Sequence, residues 1–194
     1  MNFLAHIYLS GDNDFIKIGN FMADGIRGTN YSYYPADIQK GILLHRAIDT
    51  FTDAHPVFRK SKHRLHQNYG HYSGVITDIL YDHFLAKNWT SYSNTPLDSY
   101  VQSFYTILKE NYTLLNEKTQ QMLPYMIGRN WLVNYATIEG LTTTLFQMDH
   151  RTKNRVHMQN AIVELQRYQL EFEEEFTLFF KELQLFCQDK LKHL

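Results

Sequence analysis

Thiol chemistry is almost absent from this sequence. The one cysteine, Cys187, excludes an intramolecular disulfide framework and a thiolate zinc site. It stands in an apolar helical setting with no evident histidine partner, so a packed thiol is expected rather than a nucleophile. Only 4 prolines and 9 glycines punctuate the chain, which argues against a turn-rich sandwich or barrel and for helices. No apolar run approaches the roughly 18 residues that a membrane span needs. A formal net charge of -1 gives no global attraction to nucleic acid or to an anionic membrane. No G-x-x-x-x-G-K-[ST], G-x-G-x-x-G or G-x-S-x-G pattern occurs, so P-loop, dinucleotide-binding and serine-hydrolase readings fall away. The start, Met1-Asn2-Phe3-Leu4-Ala5-His6, lacks a basic leader and a long apolar stretch. The expectation is a cytoplasmic protein, in which the sequons at Asn30, Asn88 and Asn111 are chance.

What the chain does have is apolar and aromatic mass. Hydrophobic residues make up 44% and aromatics 15% of 194 residues, enough for a substantial core without a visible linker. We expect one all-α domain spanning 1–194, built as a helical bundle. Residues 2–9 read as a short helix or apolar entry closed by Gly11-Asp12-Asn13-Asp14. Asp14 then suits the N-cap of a helix running to about Ile26, with Gly28 as its stop. Pro35 opens the next helix. Further helices are expected over 72–89 and 97–115, in shorter pieces over 118–150, and from Thr152 to about Lys192, where Glu173-Glu174-Glu175 reads as a solvated face.

The most informative stretch runs from His45 to Pro56. His45, Asp49 and Asp53 follow at steps of four, which places them in one row on a helix. Ile38 and Ile42 precede them on the same face, so a stripe that buries the isoleucines also carries His45 and Asp49 inward. A second row, Asp78 and Asp82, continues into Leu85 and Trp89, with His83 beside it.

Two carboxylates four apart on an exposed helix repel by only about 0.2–0.5 kcal/mol. Taking each out of water costs several kcal/mol unless it is paired or neutralised. Arg27 and Arg46 are too few to neutralise Asp24, Asp49, Asp53, Asp78 and Asp82. If the rows converge, a divalent cation is the economical counter-charge; if they do not, they are solvated acidic faces. Imidazole with carboxylates and no thiolate fits Mn, Fe or Mg better than structural zinc. The run Arg59, Lys60, Lys62, His63, Arg64 and His66 is either a solvated helix face or a docking patch for an acidic partner.

Four motifs in order, Asn2-Phe3-Leu4-Ala5-His6, Gly19-Asn20-Phe21-Met22-Ala23-Asp24 with Arg27-Gly28, the His45-Arg46 to Pro56 block, and Asp78 through Asp82-His83-Phe84-Leu85 to Trp89, resemble the acyl carrier protein phosphodiesterase family. Beyond residue 90 the resemblance rests mainly on Trp131-Leu132-Val133. It implies hydrolysis of the phosphodiester joining 4′-phosphopantetheine to a serine of holo acyl carrier protein, with a divalent metal, typically Mn. It also implies an all-helical architecture similar to a divergent branch of the HD-type metal phosphohydrolases, although His-Asp in that order is missing and only Asp82-His83 and Asp149-His150 occur.

Carried onto this chain, the resemblance makes His45, Asp49, Asp78 and Asp82 the expected core of the metal site, with His6 and Asp24 next. Arg27 and Arg46 would meet the phosphate, or else pair with Asp24 and Asp49. His83 would deliver a proton to the leaving oxygen, or else be a packed or supporting histidine. Arg59, Lys60, Lys62 and Arg64 would dock the acidic carrier protein. Two other functions fit the same residues: hydrolysis of a nucleotide or other small phosphodiester, and metal-free binding of an acidic partner by a helical module.

Overall fold

The computed structural model describes residues 1–153 and 155–194, the side chain of Arg151 excepted. Among the described residues every regular element is helical. The helices are α1 (Phe3–Tyr8), α2 (Asp14–Met22), α3 (Ala36–Ala54), α4 (Pro56–Tyr69), α5 (Ser73–Lys87), α6 (Leu97–Glu110), α7 (Glu117–Gly128), α8 (Trp131–Asn134), α9 (Ile138–Arg151), α10 (Ala161–Arg167) and α11 (Gln169–His193).

The α3–α4 boundary follows from the sequence. His55 precedes a proline, which pushes its backbone to φ -72° and ψ 128° and ends α3. Pro56 then occupies the first turn of α4, where its missing N–H costs nothing. Other boundaries differ from the sequence expectation. Asn13 caps α2, its side chain accepting from the amides of Phe15 and Ile16, while Asp14 is the first helical residue. That helix ends at Met22 and passes into a 3-10 turn, Ala23–Gly25, which carries Asp24. The expected helix over 97–115 stops at Glu110 and the one over 72–89 at Lys87. The stretch after Thr152 is interrupted. Lys153 and His157 have positive φ, and Tyr168 separates α10 from α11; Asn154 lies outside the described residues.

One contiguous apolar core runs from Met1 to Cys187, whose thiol is buried as expected. The long α11 inserts Phe176 and Phe179 against Phe58 of α4 and Tyr81 and Phe84 of α5, and Phe180 against Tyr8 and Tyr92, all but Tyr8 and Tyr92 fully shielded from solvent. Burying each such ring contributes about 1.5–3 kcal/mol. The candidate site lies where α1, α2, α3 and α5 meet. No helix is long and apolar enough to cross a membrane among the described residues.

Candidate metal centre

Two glycines set the geometry. A Cβ on Gly19 of α2 would fall 2.1 Å from the carbonyl oxygen of Ile38, and one on Gly41 of α3 would fall 2.3 Å from that of Ile16. Only glycine permits backbones this close. The close crossing brings Asn20, fully buried on α2, against His45 on α3 and His6 on α1. The Asn20 Nδ2 group donates to the carbonyl of His6 and to Ser10 Oγ, both at 2.9 Å. Its Oδ1 is therefore an acceptor, and it meets His6 Nδ1 at 2.7 Å and His45 Nδ1 at 3.2 Å. The Asn20 carbonyl takes a second bond from His45 Nδ1 at 2.8 Å. Both Nδ1 atoms thus carry protons, and both Nε2 atoms point away from Asn20, that of His6 also lying 3.2 Å from the Met1 carbonyl.

Asp49 is what they face. His45 Nε2 stands 3.2 Å from Asp49 Oδ2 and 3.2 Å from Asp24 Oδ1, and His6 Nε2 stands 3.5 Å from Asp49 Oδ1. The two imidazoles stack with centroids 4.0 Å apart. One ligand atom each from His6, His45 and Asp49 lies within 4.8 Å of the others. Burial opposes charge on His45, but its bonds to Asp24 and Asp49 outweigh that and push it up to about 9. Burial and the neighbouring His45 cation hold His6 down at about 4. Burial would raise Asp49, yet hydrogen bonds from both imidazoles carry it below the usual carboxylate range. Asp24 is lowered chiefly by its bond to His45. Two imidazoles preset in one tautomer, with an ionised carboxylate between them, suit a divalent cation.

Asp24, His45 and Asp49 open onto a cavity of about 400 Å³ that Thr52, Asp53 and Asp78 also help to line, with His6 behind them. The structure places Asp78 and Asp82 differently from the His45 row. Asp78 pairs with the Met1 ammonium at 2.8 Å. Asp82, fully buried, accepts from the backbone amides of Asn2, Leu4 and Ala5 at 3.3, 2.7 and 3.3 Å, meeting the otherwise unpaired donors at the start of α1. Burial dominates its titration and pushes it up to about 7. Asp82 therefore anchors the helix that carries His6.

The basic residues separate in the same way. Arg46 donates to the carbonyls of Ile26 and Gly28 and lies 5.0 Å from the Tyr31 ring, so it holds a loop and pairs with neither Asp24 nor Asp49. Arg27 is exposed and forms no ion pair among the described residues. His83 is buried, with Nδ1 2.7 Å from the Tyr135 carbonyl, and does not line the cavity. Arg64 grips Glu175 with two bonds, at 2.6 and 2.8 Å, and Lys60 pairs with the same carboxylate at 3.0 Å. Glu175 is buried, contrary to the expected solvated acidic face. Arg59, Lys62, His63 and His66 instead line a shallow hollow on α4.

Sequence reasoning missed the part played by Asn20, whose signal was an amide within the apolar turn Ile18–Met22 of α2. It also missed Thr52, which lies one turn beyond Asp49, lines the cavity and leaves its buried Oγ without a partner.

Fold and site together define an all-helical protein whose polar cavity displays a metal-type donor set. Within that class the chain belongs to the acyl carrier protein phosphodiesterase family, whose model matches residues 1–183. A protein named acyl carrier protein phosphodiesterase from Photorhabdus laumondii is 29% identical over 181 residues, 93% of this chain and 91% of its own. The one from Pectobacterium atrosepticum is 28% identical over 93% of this chain and 94% of its own, and that from Yersinia pestis 27% over 98% and 99%. No solved structure matches the chain.

Proposed function

We infer that this chain is a hydrolase that removes the 4′-phosphopantetheine group from holo acyl carrier protein. We propose further that it works with a divalent cation, Mn in the first instance with Mg or Fe as alternatives, held by His6, His45 and Asp49. The observation that carries this reading is Asn20, which turns two imidazole Nε2 atoms toward one ionised aspartate at an open cavity. A cation of this kind supplies Lewis-acid chemistry, lowering the pKa of water and offsetting phosphoryl charge.

The chain's own residues do the rest. Asp24, ionised and beside His45, accepts a proton from the attacking water at Oδ1 or Oδ2. The water oxygen bonds to phosphorus, the bond from phosphorus to the serine oxygen breaks, and the serine alkoxide takes its proton from solvent at the cavity mouth. His83 has no part in this scheme, because it is buried beside Tyr135 and does not line the cavity. Arg27, free on the surface three residues after Asp24, is available to the phosphate.

Docking falls to Arg59 and Lys62, joined by His63 and His66, since Glu175 occupies Lys60 and Arg64. Arg59 bonds the carbonyl of cavity residue Asp53 at 2.9 Å, so this basic face adjoins the cavity rim. The expected cytoplasmic location, a single domain and an HD-like architecture belong to the same proposal. Its test is intact mass measurement of holo acyl carrier protein incubated with the protein and Mn, beside a chelator control and Asp49→Ala. Loss of the phosphopantetheine mass in the wild-type sample with Mn alone is expected; retention of the arm overturns the substrate, and cleavage in chelator overturns the metal.

A further inference from the structure

Met148 of α9 forms part of the cavity wall and also lines a chamber of about 40 Å³ with Phe3, Trp131, Tyr135, Thr144 and Gln147. Trp131 and Gln147 in turn border an outer hollow of about 380 Å³ that Met122 and Tyr125 also line. The three hollows thus share wall residues in series, Met148 between the first two and Trp131 with Gln147 between the last two. The indole Nε1 of Trp131, a residue of that shared wall, is buried and has no hydrogen-bond partner. A buried donor left unpaired loses its bond to water and gains none in return. It is an odd group to keep unless something completes it.

We propose that these hollows together form the subsite for the pantetheine arm, with Trp131 Nε1 donating to an amide oxygen of the arm as the arm enters; the proposal rests on the phosphodiesterase reading above. The chemistry of the two cavity rims supports the assignment. The α4 rim is cationic and exposed, which fits an acidic protein surface. The α9 side is aromatic, thioether and amide, which fits a neutral chain of two amides between short alkyl segments. Gln147 adds a donor and an acceptor beside the indole. The scissile phosphodiester therefore lies across the metal centre in one direction, with serine toward α4 and the arm toward Trp131. A small phosphodiester without the arm leaves Trp131 unsatisfied, so the subsite favours pantetheine-bearing substrates.

The test uses the full chain loaded with Mn and titrated calorimetrically with free 4′-phosphopantetheine and with inorganic phosphate. Trp131→Phe keeps a ring and removes the N–H. It is expected to weaken phosphopantetheine binding about fivefold to tenfold, the worth of one neutral hydrogen bond, and to raise KM for holo acyl carrier protein more than it lowers kcat. Phosphate binding measures the metal centre alone and should stay the same. An NMR readout needs no variant: with Mg in place of Mn, phosphopantetheine should shift the Trp131 indole resonance and leave that of Trp89, already bonded to the Thr95 carbonyl at 2.7 Å. Wild-type cleavage of holo acyl carrier protein with an unmoved Trp131 resonance, or with unchanged binding in Trp131→Phe, overturns the subsite and leaves the function standing. Absence of wild-type cleavage overturns the function itself.

Discussion

Asn20 is the residue on which the centre turns. Its amide fixes both imidazoles, and partners of this kind typically contribute 10–100-fold to metal affinity. Asn20→Leu removes the acceptor while keeping similar volume, so Mn binding measured by calorimetry should weaken by about that factor. A variant that folds and binds Mn normally would show that the two histidines do not depend on it. His45 adds a pH dependence. It is pushed up to about 9 without metal, so at neutral pH a cation must displace one proton from it. Apparent Mn affinity should therefore rise about tenfold per pH unit below 9, with one proton released per ion. Titration in buffers of different ionisation enthalpy measures that release directly, and a flat profile contradicts displacement from His45.

At the level of elements, the α2–α3 crossing is the scaffold of the site, and Gly41, like Gly19, is a constraint that side-chain movement cannot relieve. Gly41→Ala puts a methyl group 2.3 Å from the Ile16 carbonyl oxygen and 2.7 Å from the Asn20 amide, both backbone atoms. The helices must separate, at a cost of about 3 kcal/mol, the upper end for overpacking. Urea unfolding should show that loss, and Mn affinity should fall with it because Asn20 moves away from His45. The periodicity of α3 was readable, since Ile38, Ile42, His45 and Asp49 share a stripe and Pro56 ends it. What the sequence could not display was partnership across elements. Asp78 and Asp82 have the same spacing as His45 and Asp49, yet one holds the Met1 ammonium and the other the amides of α1. Spacing along a helix fixes which side chains share a face; it carries no information on what docks against that face. Glu175 illustrates the same limit, because three consecutive glutamates look solvated until Arg64 and Ser61 are packed on one of them.

Across the whole molecule, charge is sorted so that one basic run serves two purposes. Lys60 and Arg64 turn toward α11 and satisfy buried Glu175, while Arg59 and Lys62 border the exposed hollow beside the cavity. The consequences of reversing charge must then differ along a single helix. Arg59→Glu with Lys62→Glu should leave thermal stability within about 0.5 kcal/mol, as for other surface changes, yet slow association with an acidic carrier protein. KM should rise several-fold at low ionic strength with kcat little changed, and the difference should shrink in about 0.5 M salt as screening shortens the reach of the charges. Arg64→Glu should instead destabilise the fold, because it sets two carboxylates together where Glu175 is buried. Stability of the two variants by thermal melt, set beside KM at low and high salt, separates the roles. An Arg59→Glu, Lys62→Glu protein with wild-type KM at low salt would move the docking surface off α4.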